Sequence, residues 1–218
     1  MNKPIICTSL VTSESKGLEI ITPLVDLFEV RIDMIGRNWQ ELVKRLGKPW
    51  MACNRYAQEG GKGSMSEEKR LDTLLKAVDL GASIVDIELR TRTLADMVPL
   101  IKQKAECLIS FHNFESTPPL EDIKNIVRSQ IKAGADICKV VCNARKPEDN
   151  LTALQLIKEF PENRIVSFCM GELGIISRLL SALAGGYFTY ASIQRGKESA
   201  SGQLTVEEIT KLFKMVQG

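Results

Sequence analysis

Short apolar runs alternate along this chain with longer stretches whose apolar positions recur every three or four residues. The runs are 4–9 (PIICTS), 26–32 (DLFEVRI), 50–54 (WMACN), 83–88 (SIVDIE), 107–111 (CLISF), 136–142 (DICKVVC), 164–169 (RIVSFC) and 187–192 (YFTYAS). Their length and their β-branched and aromatic residues predict strands. Helices are predicted near 15–22, 38–46, 66–80, 92–104, 119–132, 147–160, 174–184 and 205–216. Within 119–132, Leu120, Ile123, Ile126, Val127 and Ile131 form a single stripe suited to lie on a sheet.

The boundaries carry their own signals. Ser66-Glu67-Glu68-Lys69 supplies a cap and first-turn acids, and Gly81 ends that helix. Pro118-Pro119 precedes the helix that Gly134 ends, and Pro147 sits where a first-turn proline is tolerated. Strict strand–helix alternation implies parallel strands covered by helices. Eight such units in 218 residues predict an α/β fold, a (β/α)8 barrel forming one domain over residues 1–218. An open doubly wound sheet usually has fewer strands at this length, and no glycine-rich nucleotide-binding motif follows any strand.

Composition narrows the function classes. With 26% charged and 44% hydrophobic residues the chain has material for a full core, and a net charge of +2 without a basic run excludes a dedicated nucleic-acid binder. The first residues, MNKPIICTSL, contain no long apolar segment, and no run reaches the roughly 18 apolar residues of a membrane span. A cytoplasmic location is expected. Cys7, Cys53, Cys107, Cys138, Cys142 and Cys169 all fall in or beside predicted strands, where reduced thiols pack as small apolar groups. There is no C-x-x-C pair and only one histidine, so no zinc site is expected.

The anomaly is Lys139, in the middle of the apolar run 136–142. An edge strand or a snorkelling stem accommodates a lysine there without further meaning. In a barrel, however, the active site lies at the carboxyl ends of the strands, and polar residues gather there. They include Glu29, Arg31 and Asp33, then Arg55 and Glu59, Asp86 and Glu88, and His112. Beyond Lys139 come Met170 and Arg178, and lastly Ser199 with Gln203. Arg31, Arg55 and Arg178 are candidates to converge on an anionic, oxygen-rich small molecule. They would also disfavour a neighbouring ammonium, since one arginine about 6 Å away at an effective dielectric near 20 contributes roughly 2.8 kcal/mol. A neutral lysine attacks a ketone to form a Schiff base, which acidifies the adjacent C–H. His112 is then the candidate base, with Glu59 and Glu88 both placed to orient its ring.

Taken together, the motifs resemble those of type I 3-dehydroquinate dehydratases. They are Glu29-Val-Arg31-x-Asp33, Arg55-x-x-x-Glu59-Gly-Gly, Val85-Asp-x-Glu88, Ser110-x-His112-x-Phe114, the Lys139 strand, Met170 with Gly174-x-Ile-Ser177-Arg178, and Ser199-x-x-Gly202-Gln203. They follow the family's order over about residues 4–203. The resemblance implies that Lys139 forms an imine with the C3 ketone of 3-dehydroquinate. His112 would take the C2 proton and then protonate the departing C1 hydroxyl, giving 3-dehydroshikimate. Glu59 would support His112, and Arg178 would clamp the substrate carboxylate. Glu29, Arg31 and Arg55 would address its hydroxyls, Met170 and Thr8 would contact it, and Ser199 with Gln203 would sit on a closing loop. The family implies a homodimer and no metal or organic cofactor. Two positions depart from its pattern: Ser201 stands where proline is expected before Gly-Gln, and Tyr190 where phenylalanine is expected.

Two other readings remain at this point. A class I aldolase would share the lysine but usually needs a phosphate cradle after strands seven and eight, whereas Gly185-Gly186 precedes strand eight. A non-catalytic barrel that only binds a small acid would have no use for an amine and an imidazole on adjacent strands.

Overall fold

The computed structural model describes residues 3–14 and 17–217. Eight parallel strands, β1 (Ile6–Leu10), β2 (Leu27–Arg31), β3 (Trp50–Cys53), β4 (Ile84–Glu88), β5 (Glu106–His112), β6 (Ile137–Asn143), β7 (Arg164–Met170) and β8 (Thr189–Ser192), pair in the order β7-β6-β5-β4-β3-β2-β1-β8. Between β7 and β8 the ladder is replaced by one backbone hydrogen bond from Tyr187 to the Ile165 carbonyl at 2.8 Å and by packing of Phe168 on Tyr190. The result is a nearly closed (β/α)8 barrel, as the alternation of elements predicts.

The long helices fall where the apolar stripes place them: α4 (Glu67–Asp79), α6 (Leu120–Lys132), α7 (Asp149–Glu159), α8 (Ile175–Leu183) and α9 (Val206–Gln217). Ser66 accepts a hydrogen bond from the Lys69 amide at 3.4 Å, the cap read from the sequence. α5 (Leu94–Ile101) is shorter than expected and carries Pro99. The first two helical stretches differ more. Of the stretch 15–22, residues 15–16 lie outside the described residues, and the remainder is one turn, α1 (Leu18–Ile21), continuing into a 3₁₀ turn. The stretch 38–46 carries a shorter helix, α3 (Trp39–Val43), and one further helical turn, α2 (Ile32–Ile35), follows β2 directly, with Gly36, at φ 71°, between the two.

Strand alternation sorts each strand into two faces. Outward-facing Ile6, Leu10, Phe28, Val30, Ala52, Val85, Ile87 and Ile109 join the helices in one buried layer, and Val140, Cys138 and Cys142 join α6 and α7 in another. Inward-facing Cys7, Leu27, Met51, Ile84, Leu108, Ile137 and Phe188 plug the bottom of the barrel. Two residues further along each strand, the inward position changes character: Ser9, Glu29, Cys53, Asp86, Ser110, Lys139 and Tyr190. This polar layer rests on an apolar floor, so its charges have few partners other than one another.

Candidate active site

Lys139 is 4% exposed, and its backbone carbonyl accepts a 2.8 Å hydrogen bond from Gln130 of α6, which fixes the strand from behind. Its Nζ lies 2.9 Å from Asp86 Oδ2, 3.9 Å from Glu29 Oε1 and 4.5 Å from the centre of the Tyr190 ring. Asp86 also accepts from Ser110 Oγ and from Arg55, each at 2.6 Å. Burial pushes the Asp86 carboxyl up, but Arg55 and Lys139 outweigh it and hold the group well below the usual carboxylate range. Lys139 therefore belongs to an ion-pair network with Asp86 and Glu29, which the sequence reading does not set beside it.

The arginines divide in the same way. Arg31 is paired with Asp33 through two bonds of 2.9 and 2.8 Å, and Arg55 is held by Asp86 and by Glu88 at 2.9 Å. Glu88 in turn accepts from Arg70 of α4 at 2.7 Å. Among the three, Arg178 has no carboxylate partner. Its guanidinium packs over the Phe168 ring at 4.3 Å, and among the described residues its Nε has no hydrogen-bond partner and its one polar contact is the Ser201 carbonyl at 3.5 Å. Burial lowers its pKa to about 10. A buried guanidinium that faces a cavity with no carboxylate beside it is suited to hold an anion.

His112 lies one inward position beyond Ser110, the direct neighbour of Lys139, which sets it roughly 6–7 Å nearer the mouth. Glu59 Oε2 accepts from the His112 backbone amide at 3.1 Å and lies 2.9 Å from Nδ1. With Nδ1–H directed at Glu59, Nε2 is left with its lone pair toward the cavity. Burial, reinforced by Arg55 and Lys139, pushes the imidazole well below its ordinary pKa, so the ring is neutral at pH 7. Burial raises Glu59 to about 7. The turn that brings Glu59 back depends on two glycines. Gly60 has φ 84° and touches the Phe114 ring, and a side chain at Gly61 would lie 1.9 Å from the Arg55 carbonyl oxygen.

These groups share one cavity of about 80 Å³. Glu29, Arg31, Arg55, Glu59, His112, Lys139, Met170, Arg178 and Ser199 all line it, as do Gly60, Phe114, Phe168 and Tyr190. Gln203 is set back. Its side-chain oxygen accepts from the Ser199 amide at 2.8 Å and its nitrogen donates to Ser9 at 3.3 Å, while Ser9 donates to Glu29 at 2.6 Å. Thr8 requires correction. Cys7 and Ser9 face the barrel interior, so Thr8 faces the helices with Ile6 and Leu10, fully buried and outside the cavity lining. The inward residue of that strand end is Ser9. Glu88, the other candidate to orient His112, is engaged by both Arg55 and Arg70.

Asp86, Ser110, Arg70 and Tyr190 belong to the same constellation, although the sequence reading assigns none of them a catalytic or binding role. Asp86 lay within a recognised motif, whereas Arg70 reads in sequence as an ordinary helix cation. Glu29, Cys53 and Asp86 place potential ligand atoms within 4.8 Å of one another, but the two carboxylates already hold Lys139, Arg55, Ser9 and Ser110.

The fold and the site define a barrel enzyme working at the carboxyl ends of its strands, with a lysine, a neutral histidine and an unpaired arginine in one cavity. The sequence model for type I 3-dehydroquinase matches residues 6–218. The chain belongs to the type I 3-dehydroquinase family. It is 40% identical over 215 residues to the 3-dehydroquinate dehydratase of Dehalococcoides mccartyi, covering 99% of this chain and 96% of that protein. Among solved structures, the 3-dehydroquinate dehydratase of Aquifex aeolicus superposes with a TM-score of 0.81 at 28% identity, covering 97% of this chain and 98% of that one. The Geobacillus kaustophilus enzyme of the same name superposes with a TM-score of 0.87 at 24% identity, covering 99% and 92%, a likeness of fold.

Proposed function

We propose that this protein dehydrates 3-dehydroquinate to 3-dehydroshikimate through an imine on Lys139, the third step of the shikimate route to aromatic amino acids. Family membership supports the overall reaction. The observation that carries the residue roles is the convergence of Lys139, His112 and Arg178 on a single cavity.

In this reading Arg178 takes the substrate carboxylate, which places the C3 ketone over Lys139. Lys139 passes its proton into the carboxylate network around it and attacks the carbonyl carbon. Loss of water from the carbinolamine gives the imine. His112 Nε2 removes the C2 proton, and the C–H electron pair moves into the enamine. The enamine expels the C1 hydroxyl as water, protonated by the same imidazole, and hydrolysis releases product and amine. Glu59 holds the imidazole through Nδ1, while Glu29, Arg31 and Arg55 face the substrate hydroxyls and Met170 forms apolar wall. Ser199 and Gln203 close the loop over the ligand and tie it to Glu29 through Ser9. No metal or organic cofactor takes part in this scheme.

Borohydride added with substrate should leave a reduced adduct on Lys139, located by peptide mass spectrometry, and the enone absorbance of product should appear without borohydride. An active Lys139→Ala variant that cannot be trapped would exclude the imine.

Among the described residues no helix is long and apolar enough to cross a membrane. A cytoplasmic setting accords with six free, buried cysteines. Homodimer formation is supported by the family resemblance and by exposed apolar side chains on α7 (Leu151), on the 3₁₀ turn before α8 (Leu173) and on α8 (Ile176 and Leu180). Sedimentation equilibrium tests it, and a monomer at micromolar concentration would refute it.

A further inference from the structure

Arg70 is the only charged residue of α4 that is buried, and every N–H of its guanidinium is engaged. Nε and Nη2 donate to the two oxygens of Glu67 at 2.7 and 3.0 Å, one turn back on the same helix. The other donors turn inward: Nη1 to Glu88 at 2.7 Å and to the Asn54 carbonyl at 3.0 Å, and Nη2 to Thr91 at 3.2 Å. The Tyr56 ring lies over the group at 5.4 Å. An arginine that only fastened α4 would be served by Glu67, so the inward fork has a second use.

Neither Arg70 nor Glu88 lines the cavity, yet an unbroken run of buried contacts joins them to Lys139. Among the described residues Arg70 is the sole partner of Glu88 Oε2, while Glu88 Oε1 accepts from the Tyr56 amide at 3.0 Å and from Arg55 Nη1 at 2.9 Å. Arg55 Nη1 also donates to Ser110 at 2.6 Å, and Nη2 donates at 2.6 Å to Asp86 Oδ2, the oxygen that lies 2.9 Å from Lys139 Nζ. With Glu29 3.9 Å from the same Nζ, the run sets Glu29, Asp86 and Glu88 against Arg55, Arg70 and Lys139, equal in charge. Taking Arg70 away strands Glu88 Oε2 in the interior and leaves one negative charge in excess. Arg55, already bonded to Glu88, is the cation that turns to it, and Asp86 is left with Lys139 as its only cation. That favours the ammonium over the neutral amine that attacks a carbonyl.

We infer that Arg70, from outside the cavity, is a positioning residue for imine formation: by holding Glu88 it keeps Arg55 on Asp86, and so keeps the carboxylate beside Lys139 shared between two cations. The inference rests on the dehydratase reading above, in which Lys139 attacks the ketone.

Rapid mixing of 3-dehydroquinate with borohydride, followed by peptide mass spectrometry, measures how fast the Lys139 adduct forms. In Arg70→Met the adduct should form about tenfold more slowly than in wild type, within the range over which members of one salt-bridge network couple. The value of kcat should fall with it while KM stays within about threefold, because Arg70 touches no part of the cavity. Arg70→Met/Glu88→Gln removes the stranded charge and should restore adduct formation to within about threefold of wild type. Glu67→Gln breaks only the outer end of the fork and should change it less than about twofold. Should Arg70→Met not fold, Arg70→Lys, which keeps the charge without the planar fork, should form the adduct about threefold more slowly than wild type. A wild-type rate of adduct formation in the folded Arg70 variant overturns the inference, whatever the change in Tm. So does a loss of kcat with adduct formation unchanged, which would act through His112, and so does an equal loss in Glu67→Gln. A wild type that forms no adduct and no product overturns the dehydratase reading together with the inference, whereas a trapped wild type with an unresponsive Arg70→Met overturns the inference alone.

Discussion

Replacing Arg178 with methionine should make the ligand-free protein more stable and far less active. The guanidinium is 2% exposed and has no carboxylate partner among the described residues, and burial lowers its pKa from the usual arginine range to about 10. At about 1.4 kcal/mol per unit, holding the cation there costs roughly 3 kcal/mol. The penalty is present in full at every pH below about 10, where the folded and unfolded chains both carry the charge, so it acts undiminished at pH 7. The Phe168 face at 4.3 Å offsets up to about 2 kcal/mol of it. Methionine fills most of the same volume without a charge, so the net gain should be about 1–3 kcal/mol. One kcal/mol shifts Tm by about 2–4 °C at this chain length, which gives a rise of roughly 2–12 °C by calorimetry. Losing a buried charge contact to the substrate should lower kcat/KM by about 10²–10³. Added 3-dehydroshikimate should raise the Tm of wild type and leave that of Arg178→Met nearly unchanged. If Arg178→Met is instead less stable than wild type by more than about 1 kcal/mol, Arg178 is satisfied in the free protein and the reasoning fails.

Three further outcomes follow from the same geometry. His112→Ala should still be trapped on Lys139 by borohydride while kcat falls about 10²–10⁴-fold, and full activity would remove the imidazole from the mechanism. In wild type, kcat/KM should fall as pH drops below about 7, because protonating Glu59 removes the acceptor for Nδ1–H while His112 itself stays neutral to lower pH. In Glu59→Gln that limb should move to more acid pH on a lower plateau, and an unmoved limb would refute the assignment. Asp86→Asn should destabilise the fold by about 2–4 kcal/mol in urea, since Arg55 and Lys139 both lose their shortest carboxylate contact. A change within about 0.5 kcal/mol would show that Glu29 and Glu88 suffice.

The strand positions and the barrel were legible in the chain because each depends on local pattern. Apolar runs and capping signals are properties of neighbouring residues, and a lysine between aliphatics in 136–142 is conspicuous without coordinates. The misread parts involve single-residue register or distant pairing. Thr8 and Ser9 differ by one position, and only the inward face of β1 decides that Ser9 meets Glu29 and Gln203. The helix expected over 38–46 is present as the shorter α3, and the helical turn α2 ahead of Gly36 carries no apolar periodicity of its own that would announce it.

The sequence by itself determined the eight-fold alternation, the apolar floor with a polar layer two residues above it, and the chemistry available at the strand ends. Tertiary structure decided which charge belongs to which. Arg55 reaches Asp86 and Glu88 over more than thirty residues, Lys139 reaches Asp86 over fifty-three, and Glu59 alone meets His112. Those distributions leave Arg178 without a carboxylate. No local pattern encodes them, because electrostatic partnership depends on distance through the closed barrel and not along the chain.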